Sequence, residues 1–512
     1  MILTIIMFII IFTAIVVVHE LGHFLFARLF GVTVLEFAIG FGPVLYKKKL
    51  KSGMDFLIKW FPLGGYVKMD GEDPTEVDDS VYADKKSGLY YSKSAWQRFF
   101  IALAGPLFSI LAGYLMLAVV ALFWGIPQVG IDTVDLSSPA YTAGIRDGDI
   151  ISGMNGRILF DLNEISDTIK NTEGSVELTL TRNGERMDVS VTPAMFPEQY
   201  NIIIKGNGLP SDILLKDVQT INGIALSDIE LTDYTEKEVE VVLSDGSILT
   251  GTLSGFQKII SRKAIGITFA TLSNRIKKAV APFKDGDEII SINGNSITNG
   301  NDIITLLRIM DFPADKTTDY NYIEIRGTQI LDFNRMKSLN LMNVSVKRGD
   351  ETVAMEIPRE EFLSSLGQCY FVSPVENLRT ANPLIAIGWG FEWGNNLLRR
   401  MGQIIANIFT GEQKISEFSG PVGIINIIGQ ATDAGFESLV LVFALITLNL
   451  GIINLIPLPA LDGGRIVFNL IEMLIRRRIN PVIEGYIHAV GFFFIMGLAV
   501  YVTYFDILRF MR

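Results

Sequence analysis

Four stretches of the chain are apolar for long enough to cross a bilayer. Residues 1 to 18 contain only Thr4 and Thr13 as polar positions. With the helix continued through His23, the run reaches the roughly 20 residues that a span requires. A second candidate runs from about Phe99 to Gly125, with no charge between Arg98 and Asp132 and with Pro106 inside it. Membrane helices tolerate such a proline because neighbouring groups re-satisfy the freed carbonyl. The third covers about Ser438 to Pro457 and the fourth about Pro481 to Tyr504. The first run has neither a positively charged leader nor a small-residue cleavage site, so it is expected to remain as a helix. Four spans put both termini on one side.

Elsewhere the pattern alternates. Val32 to Phe37 and Phe56 to Trp60 have β-rich character and follow the first span directly. Between spans two and three the sequence repeats itself. Asp147-Gly148-Asp149-Ile150-Ile151 leads to Asn155-Gly156, and Asp285-Gly286-Asp287-Glu288-Ile289-Ile290 leads to Asn293-Gly294, with the same six-residue step from the second aspartate to the asparagine. Both read as turn, strand, turn, followed by helices near Leu162 to Lys170 and Ile303 to Met310. The arrangement resembles PDZ domains of bacterial envelope proteases, a fold that binds a chain end or loop as an added strand. Glu238 to Gly251 alternates around Ser244-Asp245-Gly246-Ser247, and Asp217 to Gly223 faintly echoes the repeat. Residues 193 to 270 are therefore an extension of the second unit or a degenerate third. Residues 383 to 410 are aliphatic and carry Trp389 and Trp393, but Glu392, Arg399 and Arg400 interrupt them. An interfacial amphipathic helix fits better than a fifth crossing.

Composition agrees with a membrane protein that has a large aqueous portion: 49% of residues are hydrophobic and 19% still charged, with a mean hydropathy of +0.36. Lys47, Lys48, Lys49 and Lys51 after the first span, and Arg476, Arg477 and Arg478 between spans three and four, mark those loops as cytoplasmic. The repeat block then lies outside. A net charge of -11 argues against a nucleic-acid partner. The single cysteine, Cys369, excludes an intramolecular disulfide.

The chain has only three histidines, and two of them stand in His19-Glu20-Leu21-Gly22-His23 at the end of the first apolar run. Positions i and i+4 share a helix face, so His19 and His23 offer imidazole nitrogens to one metal while Glu20 projects beside the vacant coordination position as general base. Ionisable groups at membrane depth are costly and mark function. A zinc site needs a third protein ligand. His488 lies within the fourth span without an acidic neighbour at i+1, and a structural role is the better reading. Asp462 is the stronger candidate. It ends Asn454-Leu455-Ile456-Pro457-Leu458-Pro459-Ala460-Leu461-Asp462-Gly463-Gly464, where two prolines forbid a continuous helix and two glycines allow close backbone approach. An acid at the broken end of a span needs a compensating charge, which a metal supplies; the alternative is a plain helix cap. A fifth crossing at 383 to 410 would separate Asp462 from His19.

The HExxH in the first span, Asn449 and Asn454 ahead of Pro457-Leu-Pro459-Ala-Leu-Asp462-Gly-Gly in the third, and the intervening PDZ-like block resemble the site-2 protease family of intramembrane zinc metalloproteases, in particular its bacterial regulator of sigma-E branch. The resemblance covers nearly the whole chain. It implies that His19, His23 and Asp462 bind Zn2+, that Glu20 activates water, and that Asn454 helps hold the substrate backbone, with Asn449, Pro457 and Pro459 beside it. Gly40-Phe41-Gly42-Pro43 and Gly64-Gly65-Tyr66-Val67-Lys68 match the family's membrane-associated β-hairpin region, and Ser419-Gly420-Pro421-Val422-Gly423 matches the stretch before the third span. One place departs: three residues after Pro106 the family often has Asn, and here stands Ser109.

The expected architecture is an α-helical polytopic membrane protein with four transmembrane helices, a membrane-associated β-hairpin region and an extracytoplasmic tandem PDZ-like α+β block. Its expected segments are 1–30 for the first span, 31–95 for the hairpin loop, 96–126 for the second span, 127–192 and 193–358 for the two PDZ-like domains, 359–435 for interfacial helices, and 436–512 for the last two spans. The expected activity is intramembrane proteolysis, in the bacterial inner membrane, of single-span proteins such as anti-sigma factors or signal-peptide remnants. A helical substrate hides its carbonyls, and lipid offers no replacement partners, so the hairpin edge is expected to take the unwound segment as an added strand. A membrane-tethered protease of soluble or misfolded proteins would carry the motif in an aqueous domain. An inactive PDZ scaffold would lack Glu20 or a ligand.

Overall fold

The computed structural model describes all residues except 1, 52, 73–87, 161, 197–198, 206–211, 216–217, 244–245, 260, 271, 305–339, 412–417 and 511–512. The chain folds as two units, Met1–Ile126 with Arg379–Arg512, and Pro127–Leu378. The first begins with α1 (Ile2–Leu29), β1 (Val34–Lys49), β2 (Asp55–Met69) and α2 (Ala95–Phe123). Ser94 starts α2 with a capping box to Gln97, which satisfies amides that the helix leaves open.

The two strands are longer than their β-rich cores predict and pair with each other. Glu36 to Ile39 has partners on both sides, at Asp55 to Ile58 and at Gly65 to Lys68. The buried face of this sheet, Val34, Phe37, Val67 and Met69, packs with Ala27 of α1 and Ile101 of α2. Its outer end, with Phe41, Val44, Leu45, Tyr46, Trp60 and Phe61, is exposed.

Among its described residues the second unit holds three separate cores, each under its own main sheet. The first repeat comprises β3 (Val129–Val134), a short α3 (Pro139–Thr142), β4 (Ile150–Met154), β5 (Arg157–Ile158), α4 (Leu162–Asn171), β6 (Val176–Arg182), β7 (Glu185–Val191) and β8 (Ala194–Phe196). A separate six-stranded sheet follows, from β9 (Gln199–Lys205), β10 (Asp212–Leu215), β11 (Val218–Ile221), β12 (Ile224–Ala225), β13 (Glu238–Leu243) and β14 (Ile248–Ile259). The chain then returns: β15 (Arg262–Ala264) pairs with β8, and β16 (Ile267–Ala270) pairs with β3. Ile265 enters the first repeat's core beside Val129 and Leu180. A break at residue 193 therefore corrects to an insertion at about 199–259, because the first repeat needs this returning segment to close its sheet and core.

The second repeat holds β17 (Ile276–Lys278), β18 (Glu288–Ile292), β19 (Asn295–Ser296), β20 (Leu341–Arg348), β21 (Glu351–Pro358), α5 (Arg359–Gln368) and β22 (Tyr370–Phe371). Phe362 and Leu366 of α5 are buried in its core, and β22 pairs with β17. This repeat thus runs past 358, and α5 is a core helix of it rather than an interfacial one. The helix expected from Ile303 to Met310 lies mostly outside the described residues.

Hydrogen bonds explain the repeat. Asp147 Oδ1 accepts from the Val134 amide and Asp285 Oδ1 from the Ala279 amide, both at 2.7 Å. Asn155, Asn222 and Asn293 all take φ 51°, the left-handed region that asparagine tolerates ahead of glycine. Each accepts a backbone amide from the strand beyond: Glu177 at 3.0 Å, Glu240 at 2.7 Å and Asn343 at 2.8 Å. The inserted sheet carries the third of these turns.

The chain re-enters the first unit through α6 (Pro383–Thr410), α7 (Pro421–Ala434), α8 (Phe436–Leu455), α9 (Asp462–Ile475) and α10 (Pro481–Phe510). Asn382 caps α6, and Gly411 ends it in the left-handed conformation. Among the described residues, four helices are long and apolar enough to span a membrane: Leu3–Leu29, Ala95–Phe123, Phe436–Leu455 and Val482–Leu508. Helix α6 is not among them and packs along α2, with the Tyr114 hydroxyl donating to Asn395 Oδ1 at 2.6 Å.

Candidate metal centre

Helices α1 and α2 approach closely where the HExxH motif lies. A Cβ on Gly22 would stand 2.3 Å from the Ala104 carbonyl oxygen. A Cβ on Gly105 would stand 2.2 Å from His23 Nε2, so the second helix leaves a glycine-sized space for the imidazole.

Both rings are fixed from behind. His23 Nδ1 lies 2.8 Å from the Ile101 carbonyl oxygen. A carbonyl only accepts, so Nδ1 carries the proton and Nε2 of the neutral ring presents a lone pair. His19 Nδ1 meets Ser109 Oγ at 3.1 Å, and Ser109 is fully buried. The two residues are only 7% and 9% exposed.

Asp462 arrives from the opposite side because α8 ends at Leu455. Pro457 and Pro459 follow, Ala460 takes φ 76°, and α9 starts at Asp462 itself. The helix cap is Leu461, so the Asp462 carboxylate is not spent on capping. Its Oδ2 lies 3.1 Å from His19 Nε2 and 3.4 Å from His23 Nε2, and the two nitrogens are 3.3 Å apart. Tetrahedral ligands held about 2.0–2.1 Å from a zinc ion stand about 3.3 Å from one another. Two imidazole nitrogens and a carboxylate oxygen at this spacing can all offer lone pairs to a cation lying between them, so the donor set fits zinc in both chemistry and separation.

Glu20 is half-buried beside this triangle, with the Val67 backbone amide of β2 near its carboxylate. His488 does not join this group: its Nδ1 accepts from the Ala460 amide at 2.8 Å and so shapes the loop that carries Asp462. Asn449 is exposed and Asn454 half-buried near the end of α8, five residues apart and hence on different faces. Pro457 is exposed, and Pro459 packs where Gly491 of α10 leaves room.

Sequence reasoning missed the groups that hold these side chains. Gly105 and the Ile101 carbonyl carry no motif of their own, although a Gly-Pro pair inside a span is a signal for close packing. Ser109 stood out only as a departure. Arg465 and Glu472 recur at helical spacing behind Asp462. Arg465 pairs with Glu72, and Glu472 with Arg98 of α2.

The model described as peptidase family M50 matches residues 7–498. A Thermotoga maritima protein named as a zinc metalloprotease is 38% identical over 99% of this chain and 100% of its own length. The regulator of sigma-W protease RasP of Bacillus subtilis is 27% identical over 99% of this chain and 98% of its own. The regulator of sigma E protease of Haemophilus influenzae is 27% identical over 98% of both chains.

Proposed function

The chain belongs to peptidase family M50, the site-2 protease family, and on that footing we propose that this zinc metalloprotease cuts single-span membrane proteins at or within the bilayer, with His19, His23 and Asp462 as its metal ligands and Glu20 as its general base. The observation that carries the reading is the convergence of His19 Nε2, His23 Nε2 and Asp462 Oδ2 on one point beside Glu20, at the end of an apolar helix. Zinc bound there supplies a Lewis acid for the scissile carbonyl and lowers the pKa of its water.

The protein's own groups do the rest. Ser109 and the Ile101 carbonyl hold the two rings with Nε2 forward. Glu20 takes the proton of the attacking water and delivers it to the leaving amine. The edge of the β1–β2 sheet pairs with the unwound substrate, supported by the position of the Val67 amide near Glu20. Asn454, with Asn449, Pro457 and Pro459 nearby, holds the substrate backbone.

The protein sits in the bacterial inner membrane with the lysine-rich sheet and Arg476 to Arg478 on the cytoplasmic side. The tandem PDZ-like repeats lie outside and gate access. The substrates are of the anti-sigma factor or signal-peptide remnant type. The test is zinc content and cleavage of a single-span reporter by the wild type and Glu20→Gln. Both proteins keep zinc, and the variant loses activity by about 100-fold or more. Equal cleavage by the two overturns the mechanism.

A further inference from the structure

Helix α9 carries a polar stripe in an otherwise apolar surface. Asp462, Arg465, Asn469 and Glu472 follow one another at steps of three, four and three, which places them on one face. Between them stand Ile466, Val467, Phe468, Leu470, Ile471 and Met473.

Each member is held. Arg465 is paired with Glu72. Buried Asn469 donates to the Arg465 carbonyl at 2.8 Å. Glu472 is paired with Arg98, both almost wholly buried, and also accepts the Ile479 amide at 3.0 Å.

Glu72 has a second partner, since its Oε2 accepts the Met69 amide at the end of β2 at 3.3 Å. Two residues earlier, the Val67 amide lies near the Glu20 carboxylate. Amides two apart on a strand point the same way. Glu20, the outer edge of β2, Glu72, Arg465 and Asp462 therefore follow one another from the base to the third ligand along a path that does not run through the metal.

Such a chain answers a mechanical need. Asp462 is the first residue of its helix, behind a loop with two prolines and no side-chain cap. A rotation of α9 by one residue would swing the carboxylate through about 100°. Arg465, one turn on, is the first side chain able to stop that rotation.

We propose that Glu72 and Arg465 are positioning residues: their ion pair fixes the angle of α9, and with it Asp462, against the β2 edge and Glu20. The inference rests on the assignment of Asp462 and Glu20 made above. Glue for the fold alone would affect stability and zinc content before turnover. A positioning pair affects kcat first, because a displacement of about 1 Å at reacting groups costs about 100-fold.

The experiment uses the full chain in detergent and measures zinc content, thermal unfolding, kcat and KM for Glu72→Gln, Arg465→Gln, Glu72→Arg, Arg465→Glu and the double charge swap. Expected are single variants that keep zinc and unfold near the wild-type temperature, with kcat lowered about 10- to 100-fold and KM changed by less than about threefold. The double swap then regains at least about tenfold in kcat over either reversal. If the reversals do not fold, the near-isosteric Glu72→Gln carries the test. Wild-type kcat in both Gln variants overturns the proposal, as does a loss of activity that only follows loss of zinc or of fold. A zinc-free wild type, or an active Glu20→Gln, would instead remove the reading on which the proposal rests, and these are measured separately.

Discussion

Buried aspartates occur in both units of the molecule, and they are neutralised in different ways. Asp149 and Asp287, at equivalent places in the two repeats, are fully buried and each meets an arginine fork. Arg182 donates to Asp149 at 2.6 and 2.7 Å, and Arg348 to Asp287 at 2.8 and 2.7 Å. Asp462 in the other unit meets two imidazole nitrogens, at least one of which presents a lone pair. A structural acid brings its counter-charge in the sequence, one strand away. The acid of the proposed metal centre is folded against groups that would hold a cation brought from outside. Burial alone therefore does not separate the structural acids from the proposed ligand, whereas the chemistry of the partner does.

The largest expected effect tests the centre through the space left for His23. Gly105→Ala puts a methyl 2.2 Å from Nε2, and the ring cannot yield without giving up the Ile101 carbonyl. Zinc content should fall below about a tenth of stoichiometric, with cleavage lost in proportion. The Asp149–Arg182 and Asp287–Arg348 pairs should not change, so exchange protection in the repeats should match the wild type. Full zinc occupancy in the purified variant would break the contrast.

A smaller effect is expected behind His19. Ser109→Ala removes the hydroxyl that meets Nδ1 at 3.1 Å without adding bulk. Zinc affinity should weaken about 10- to 100-fold, as is usual when the group orienting a ligand is lost. Competition with a chelator of known affinity measures this, and an unchanged dissociation constant would show that helix packing alone orients the ring.

How much of this was legible follows from the range of each interaction. That His19 and His23 meet could be read because a spacing of four on one helix fixes their geometry. That Asp462 comes to them could be read because prolines broke a span next to an acid. The stripe through Arg465, Asn469 and Glu472 was equally present in the spacing, but its partners are Glu72 and Arg98, nearly 400 residues away, and periodicity does not name a distant partner. The Asn-Gly turns announced the repeats because their conformation is local. The return of Ile267–Ala270 to β3 was not announced, since a four-residue strand says nothing about which strand it joins.

The smallest effect separates the two units by their response to pH. All three histidines, His19, His23 and His488, belong to the unit with the proposed metal centre, and Pro127–Leu378 contains none. Histidine is the side chain whose ordinary pKa falls between pH 5 and 8, so the repeats should keep constant stability across that range. Their acid limit is set by carboxylates. Burial alone would raise Asp287, but the hydrogen bonds from Arg348 and the Lys284 amide outweigh it and hold the group below its ordinary value of 3.8. A carboxylate depressed in the folded state contributes stability that is complete above the unfolded pKa and is lost as pH falls through the folded one. In the full chain, exchange protection of the Ile289 and Val346 amides should therefore stay level from pH 8 to about 5 and decline only below about pH 4. Arg348→Met should bring that decline to higher pH and lower protection by about 1–3 kcal/mol at neutrality, because it leaves a buried carboxylate without its fork. A fall in protection already at pH 6 would mean that a group outside the repeats controls them, and the division between resident and imported counter-charge would no longer describe how the two units respond to protons.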